Sequence, residues 1–167
     1  MQHDVHADHD RMVAVIDIDG VVADVRHRLS HVSGRSRDWA AFFAAAGDDT
    51  LLAEGADAAH RLAEVYDVVY LSGRPESLRS VTQGWLDDHG LPPGPLRLRP
   101  HRDFRPSREW KVEALRDLAR TRRVGLLVDD DPAVLEAARV AGFDVLPATW
   151  MGEHPELRAA QERDGRT

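Results

Sequence analysis

The 167-residue chain contains no cysteine. That absence excludes disulfides, thiolate zinc sites, iron–sulfur clusters and a cysteine nucleophile, and it fits a reducing compartment. Any metal would have to be held by oxygen or imidazole. Long apolar runs are also missing: none approaches the roughly 18–20 residues that a membrane span needs. The first ten residues, rich in His and Asp, lack the cationic and apolar regions of a secretory signal. A soluble, cytoplasmic protein without membrane contact is expected. No GxxxxGK[ST] motif occurs, so any kinase activity would lie on another chain. Positive charge is in deficit, with 22 Lys+Arg against 29 Asp+Glu and a net charge of −7. This argues against a protein that coats duplex nucleic acid with a basic face, while a locally basic groove stays compatible.

Hydrophobic residues make up 43% and charged residues 31%, enough for one domain with a sizeable core and too apolar for wholesale disorder. Short apolar runs alternate with helical patterns. Met12–Ile16, Val68–Leu71 and Val124–Val128 read as strands buried on both faces, with Leu96–Arg99 and Asp144–Leu146 as weaker members of the same sheet. Helices are predicted from about Gly55 to Tyr66, from Pro75 to Gly90, from a Ser107 cap to about Arg120, and from the Asp131-Pro132 cap to Gly142. Such alternation predicts a three-layer, doubly wound α/β fold, with ligands bound beyond the carboxyl ends of the strands. Residues 24–50 interrupt it and read as a small lid with one short helix. The domain proper is expected over 12–150, with loosely ordered tails at 1–11 and 151–167. The spacing of His3, His6 and His9 would suit a metal, but a loose tail is the simpler reading.

The chemistry-bearing residues fall at the predicted strand ends. Asp17-Ile-Asp-Gly20 follows the first strand, and residues two apart at a strand end project to one side, so Asp17 and Asp19 can converge. Two carboxylates that close favour one ionised and one protonated form, a nucleophile beside a general acid. Ser72-Gly73-Arg74 follows the second strand, where a hydroxyl, backbone amides at a helix start and a guanidinium would cradle phosphate. Asp129-Asp130-Asp131 follows the strand at 124–128. With Asp131 used as a helix cap, Asp129 and Asp130 are left to hold a hard cation such as Mg²⁺ together with Asp17. Lys111, in the first turn of its helix, can reach the same rim.

In order, identity and placement, these four clusters resemble the four motifs of the haloacid dehalogenase superfamily of phosphohydrolases. Within it the chain is most similar to the phosphatase domain of bacteriophage polynucleotide kinase and its free-standing bacterial relatives, through Asp38-Trp39, Leu71-Ser-Gly-Arg74, Trp85-Leu86, Arg99-Pro, Arg105-Pro and Lys111. The resemblance implies a Rossmann-like sheet with a small cap after the first strand, and a Mg²⁺ cofactor held by Asp17, the Asp19 carbonyl, Asp129 and Asp130. It implies that Asp17 attacks phosphorus to form an aspartyl-phosphate, and that Asp19 protonates the leaving oxygen and then activates water. Ser72, Gly73, Arg74, Lys111, Arg28 and Arg105 would bind the phosphoryl group or substrate. Where relatives often carry an acid four positions before the motif lysine, this chain has Ser107.

Arg97, Arg99, Arg102, Arg105, Arg108 and Lys111 form a basic run that, with Arg26, Arg28, Arg35 and Arg37, could rim the site for a single-stranded or nicked nucleic-acid end or a nucleotide. Trp39, Phe42 and Phe43 fit lid core, or else a base-stacking surface. The leading expectation is a phosphomonoesterase, with polynucleotide 3′-phosphatase activity as its sharpest form and a separate kinase or ligase as partner. A nucleotide or small-metabolite phosphatase is the alternative. A non-catalytic phospho-aspartyl module is a third reading, disfavoured because Lys111 precedes the acidic cluster.

Overall fold

The computed structural model describes residues 11–167, and the His3, His6 and His9 tail lies outside them. Five parallel strands form one sheet in the order β5-β4-β1-β6-β7: β1 Val13–Ile16, β4 Asp67–Pro75, β5 Leu96–Arg99, β6 Val124–Asp129 and β7 Val145–Pro147. A two-residue antiparallel pair, β2 Ala23–Asp24 with β3 Thr50–Leu51, closes the base of the lid. β1 is central and buried at every position, which explains its unbroken apolar run. Its alternate residues supply two separate cores. Ile16, with Val68 and Tyr70, packs under α2 (Ala53–Ala63) and α3 (Arg79–Asp88) through Ala56, Ala59, Trp85 and Leu86. Val13 and Val15, with Val69 and Leu71, face α4 (Ser107–Ala119) and α5 (Pro132–Val140) through Trp110, Leu115, Val134 and Ala138. The doubly wound α/β expectation therefore holds.

Several boundaries differ from the sequence reading. β4 continues through Pro75, whose ψ of 152° is extended, and a 3₁₀ turn at Glu76–Leu78 intervenes before α3. Ser72 pairs with Leu98 and Pro75 with Arg99, with a register shift between them, so the Ser72–Arg74 segment stays extended and α3 begins only at Arg79. Ser107 is the first residue of α4 rather than its cap, because its hydroxyl is engaged elsewhere. Asp131 does cap α5, accepting from the Ala133 amide at 2.9 Å, with Pro132 in the first turn.

The lid holds one α-helix, α1 Trp39–Ala44, capped by Asp38, and 3₁₀ segments at Arg26–Val32 and Ala45–Asp48. Its Val25, Leu29, Val32 and Phe42 form a third core with Met151 and Leu157. The reading of 151–167 as a loose tail is thus corrected. Pro155–Arg158 is a short helix, α6, continued by a π-turn at Ala159–Arg163, and Leu157, Ala160, Gln161 and Thr167 are buried. Four helical residues leave too short an amphipathic pattern to read, and the partners of Leu157 lie about 120 residues away in the lid.

Candidate active site

The carboxyl ends of β1, β4 and β6 meet at one small volume, and nearly every polar side chain there is buried. One side is acidic. Asp17, Asp129 and Asp130 each offer an oxygen lying within 4.8 Å of the others. Lys111 donates to Asp129 Oδ2 at 2.6 Å and stands 2.9 Å from Asp17 Oδ2. It is the only lysine in the chain. Backbone amides take one oxygen each: Ile18 N–H donates to Asp17 at 2.7 Å and Asp131 N–H to Asp129 at 2.9 Å. Burial pushes the Asp17 carboxyl well up, and the charges of Asp129 and Asp130 push it further against the pull of Lys111. Burial and Asp129 also raise Asp130, whose Oδ2 accepts from Arg158 at 2.7 Å while its buried Oδ1 has no hydrogen-bond partner among the described residues. Lys111 would be lowered by burial, but Asp129 and Asp17 outweigh that and hold it above its ordinary value. Three buried acids against Lys111 and Arg158, with a carboxylate oxygen left over, fit a hard divalent cation such as Mg²⁺. Gly20 belongs to this side: its φ is +80°, and a Cβ there would stand 2.3 Å from Asp130 Oδ2.

The other side is balanced. Arg28 and Arg74 are fully buried, and both reach Asp19 Oδ1, at 3.1 and 2.8 Å. Both also hold Asp49, with Arg28 donating to its two oxygens at 2.8 and 2.9 Å and Arg74 to Oδ2 at 2.7 Å. Thr82 Oγ1 accepts from Arg74 at 3.3 Å. Burial alone would raise Asp19, but the charges of Arg74 and Arg28 outweigh it and hold the carboxyl well below its usual range. Asp49 is raised by burial in spite of both arginines.

Ser72 and Gly73 lie buried at the end of β4, and Ser72 Oγ accepts from the Arg74 amide at 3.2 Å. A Cβ on Gly73 would sit 2.1 Å from the Thr167 carbonyl carbon, so the glycine leaves room for the segment that ends at Thr167. Thr167 is 2% exposed. Its hydroxyl donates to Asp19 Oδ2 at 2.5 Å, and its carbonyl accepts from Ser107 Oγ at 2.8 Å. Arg99 is buried as well, donating to the Gly73 carbonyl and to Ser107 Oγ, and burial brings it down to about 10.

Asp17, Asp19, Ser72, Gly73, Arg74, Lys111, Arg28, Asp129 and Asp130 are thus brought together. Arg105 is not: it pairs with Asp103 and Glu113 at the surface. The basic run forms no single rim. Arg99 turns inward, Arg108 pairs with Glu162, and Arg102 is exposed at a positive φ of 63°. Asp49, Thr82 and Thr167 were missed. Asp49 has no local signal, since it lies in the lid 32 residues beyond Asp17 and its role appears only when Arg28 and Arg74 converge. Arg99 was read only as a rim residue, although it opens the Arg-Pro pair that carried part of the resemblance.

Together, the sheet order and the acids at the ends of β1 and β6 define the α/β fold of haloacid dehalogenase-like hydrolases. Structural comparison agrees. A Streptococcus pneumoniae haloacid dehalogenase-like hydrolase matches with a TM-score of 0.55 at 14% identity, covering 91% of each chain. The putative HAD-hydrolase YfnB of Bacillus subtilis, solved with magnesium, matches at 0.56 and 12%, covering 81% of this chain and 87% of that one. A chain of the Pnkp1/Rnl/Hen1 RNA repair complex matches at 0.66 and 22%, over 82% of this chain but 42% of that one, so this chain spans less than half of that protein's length. No curated protein matches. Residues 11–149 match the family model HAD_PNKP, described as the polynucleotide kinase PNKP phosphatase domain. The chain belongs to that family of phosphatase domains, and it is a phosphoric monoester hydrolase.

Proposed function

We propose that the chain is a Mg²⁺-dependent phosphomonoesterase that works through a phosphorylated Asp17 and removes 3′-phosphates from nucleic-acid ends. The observation that carries the reading is the pairing of Asp17, beside Lys111, with Asp19, beside two buried arginines. Asp17, the Asp19 carbonyl, Asp129 and Asp130 would hold Mg²⁺, which when bound offsets the charge of the phosphoryl oxygens. Lys111, 2.9 Å from Asp17 Oδ2, pulls against the burial that raises this carboxyl, and a bound cation would add to that pull and favour the ionised, nucleophilic form. A phosphoryl group in the cleft gives Arg28 and Arg74 a second anion to bind, with Ser72 Oγ as a further donor. As they turn to it, Asp19 loses the charges that hold it ionised and can take up a proton.

In the first step an Asp17 oxygen bonds to phosphorus, the ester P–O bond breaks, and the Asp19 proton goes to the leaving oxygen. In the second, water gives its proton to Asp19 and its oxygen to phosphorus, the acyl P–O bond breaks, and inorganic phosphate leaves with Asp17 restored. Asp19 Oδ1 takes both arginines, so Oδ2, where the Thr167 hydroxyl now sits, is the oxygen left to serve the leaving group. Thr167 must withdraw before turnover.

The family description and the repair complex found for a structural neighbour support a nucleic-acid end as substrate and a separate kinase or ligase as partner. The test is phosphate release with Mg²⁺ from 3′-phosphorylated and 5′-phosphorylated oligonucleotides, free nucleotides and sugar phosphates. Preference for 3′-phosphorylated ends is expected, with turnover lost in Asp17→Asn. Equal turnover of sugar phosphates would overturn the substrate reading, and wild-type turnover in Asp17→Asn would overturn the mechanism.

A further inference from the structure

Residues 165–167 run along the cleft in the order a phosphorylated nucleoside would need. Thr167 places its hydroxyl on Asp19 Oδ2, at the place of the leaving oxygen. One residue back, the flat guanidinium of Arg166 lies among three aromatic rings, 5.0 Å from the centroid of Trp39, 5.9 Å from Phe43 and 4.8 Å from Phe104. These are stacking distances for a planar cation. Trp39 and Phe43 are themselves stacked at 6.1 Å with an interplanar angle of 27°, and they come from α1 of the lid. Phe104 comes from the loop after β5, across the cleft, and stays 54% exposed even with Arg166 against it. A cavity of about 190 Å³ continues beside them, lined by Phe43, Pro75, Ser77, Arg99, Phe104 and Arg166. The backbone passes Phe104 so closely that a Cβ on Gly165 would stand 2.0 Å from the Phe104 carbonyl oxygen.

The lid aromatics therefore have different fates. Phe42 is fully buried beneath Arg28, whereas Trp39 and Phe43 pack on that lid core with one side and, partly exposed, meet Arg166 with the other. Rings on both walls of a cleft, two backed by the lid core and one largely uncovered, are a platform for a flat ligand. Arg166 shows what they accept: a planar, delocalised group one residue away from the atom over Asp19.

We propose that Trp39, Phe43 and Phe104 form the subsite for the nucleobase of the phosphorylated terminal nucleotide, and that Arg166 occupies it while Thr167 occupies the leaving-oxygen position. The proposal rests on the phosphatase reading for the orientation of the ligand, and it names the moiety that the enzyme recognises beyond the phosphate. Stacking accepts any base, so the subsite reads the presence of a base and not its identity.

The experiment is equilibrium binding, with Mg²⁺, of adenosine 3′-phosphate and of a base-free sugar 3-phosphate to the full chain carrying Asp17→Asn. The base-bearing ligand is expected to bind at least tenfold more tightly. Phe104→Ala, at a largely exposed position, is expected to bring that ratio close to one. Arg166→Ala, which clears the rings, is expected to raise it several-fold. Equal binding of the two ligands overturns the subsite, as does a ratio unmoved by Phe104→Ala or lowered by Arg166→Ala. Base preference without phosphate release from any ester by the wild-type chain supports the subsite and overturns the catalytic reading instead.

Discussion

The two sides of the cleft are built from the same kinds of residue and balance their charges differently. Around Lys111 and Arg158 stand Asp17, Asp129 and Asp130, two cations against three acids, with Asp130 Oδ1 left without a hydrogen-bond partner among the described residues. Around Asp19 and Asp49 stand Arg28 and Arg74, two cations against two acids, bonded on nearly every face. Buried like charges repel strongly at low dielectric, so the first side is held in a costly state that a cation relieves. The second side is neutral by itself and binds an anion only by exchanging one carboxylate partner for it. The metal-dependent phosphatase proposed above needs both, a site that calls for a cation and a site that can hand its cations to phosphate.

The comparison breaks most sharply if either balance is upset. Lys111→Met removes the cation that, among the described residues, touches both Asp17 and Asp129. Breaking a buried pair of this kind costs about 3–5 kcal/mol. Thermal unfolding should show a large loss of stability that saturating Mg²⁺ largely restores. If Mg²⁺ stabilises the variant no more than the wild type, the acidic side is not the cation site.

Asp49→Asn is expected to come next, at about 2–4 kcal/mol, since it leaves two buried guanidinium groups sharing Asp19 alone. Rescue should have the opposite sign: inorganic phosphate restores stability and Mg²⁺ does not. Michaelis constants for phosphate esters should shift as well, because Asp49 sets where both arginines point. Rescue by Mg²⁺ but not by phosphate would erase the distinction between the two sides.

Much of this was legible in the residues, and unevenly so. The sheet, both cores and the strand-end motifs were readable because each is written locally: an apolar run of four or five residues, then the polar group its end presents. The single lysine was a further signal, since a chain that otherwise uses arginine for every basic position keeps lysine only at Lys111. What could not be read depends on contacts between distant segments. Asp49 matters only once the lid folds back on β4, and Arg105 looked like a ligand until Asp103 and Glu113 took it. The Ser72–Arg74 segment was read as leading into a helix because proline favours first turns, yet pairing with β5 kept it extended. The segment after 150 looked loose because its anchors, Leu157 on the lid core and Thr167 on Asp19, have no pattern of their own.

Metal alone should give a smaller effect than Lys111→Met, within the range expected of Asp49→Asn. By mass action, Mg²⁺ at a hundred times its dissociation constant stabilises the wild type by about 2.7 kcal/mol. Chelation should return the chain to its lower unfolding temperature. Asp130→Asn should raise stability in chelator, by relieving repulsion from Asp129, while weakening the response to Mg²⁺. Loss of stability in chelator would mean that its bond to Arg158 outweighs the repulsion, and the acidic side would then not be held at a cost.

Acid should act on the arginine side. Asp19 is held below its ordinary value, so its ion pairs contribute fully above the ordinary carboxylate range near 4 and are lost as pH falls below it. Unfolding temperature in chelator should therefore fall more steeply between about pH 4 and pH 3 for the wild type than for Asp19→Asn. Parallel curves would show that the arginines do not hold Asp19 ionised. Arg105→Ala marks the lower end of the scale: its partners Asp103 and Glu113 keep it at the surface, and surface pairs are worth little. Less than a twofold change in kcat/KM on a 3′-phosphorylated oligonucleotide is expected. A tenfold loss would bring Arg105 back to the substrate and show that the basic run reaches further into the cleft than its ion pairs indicate.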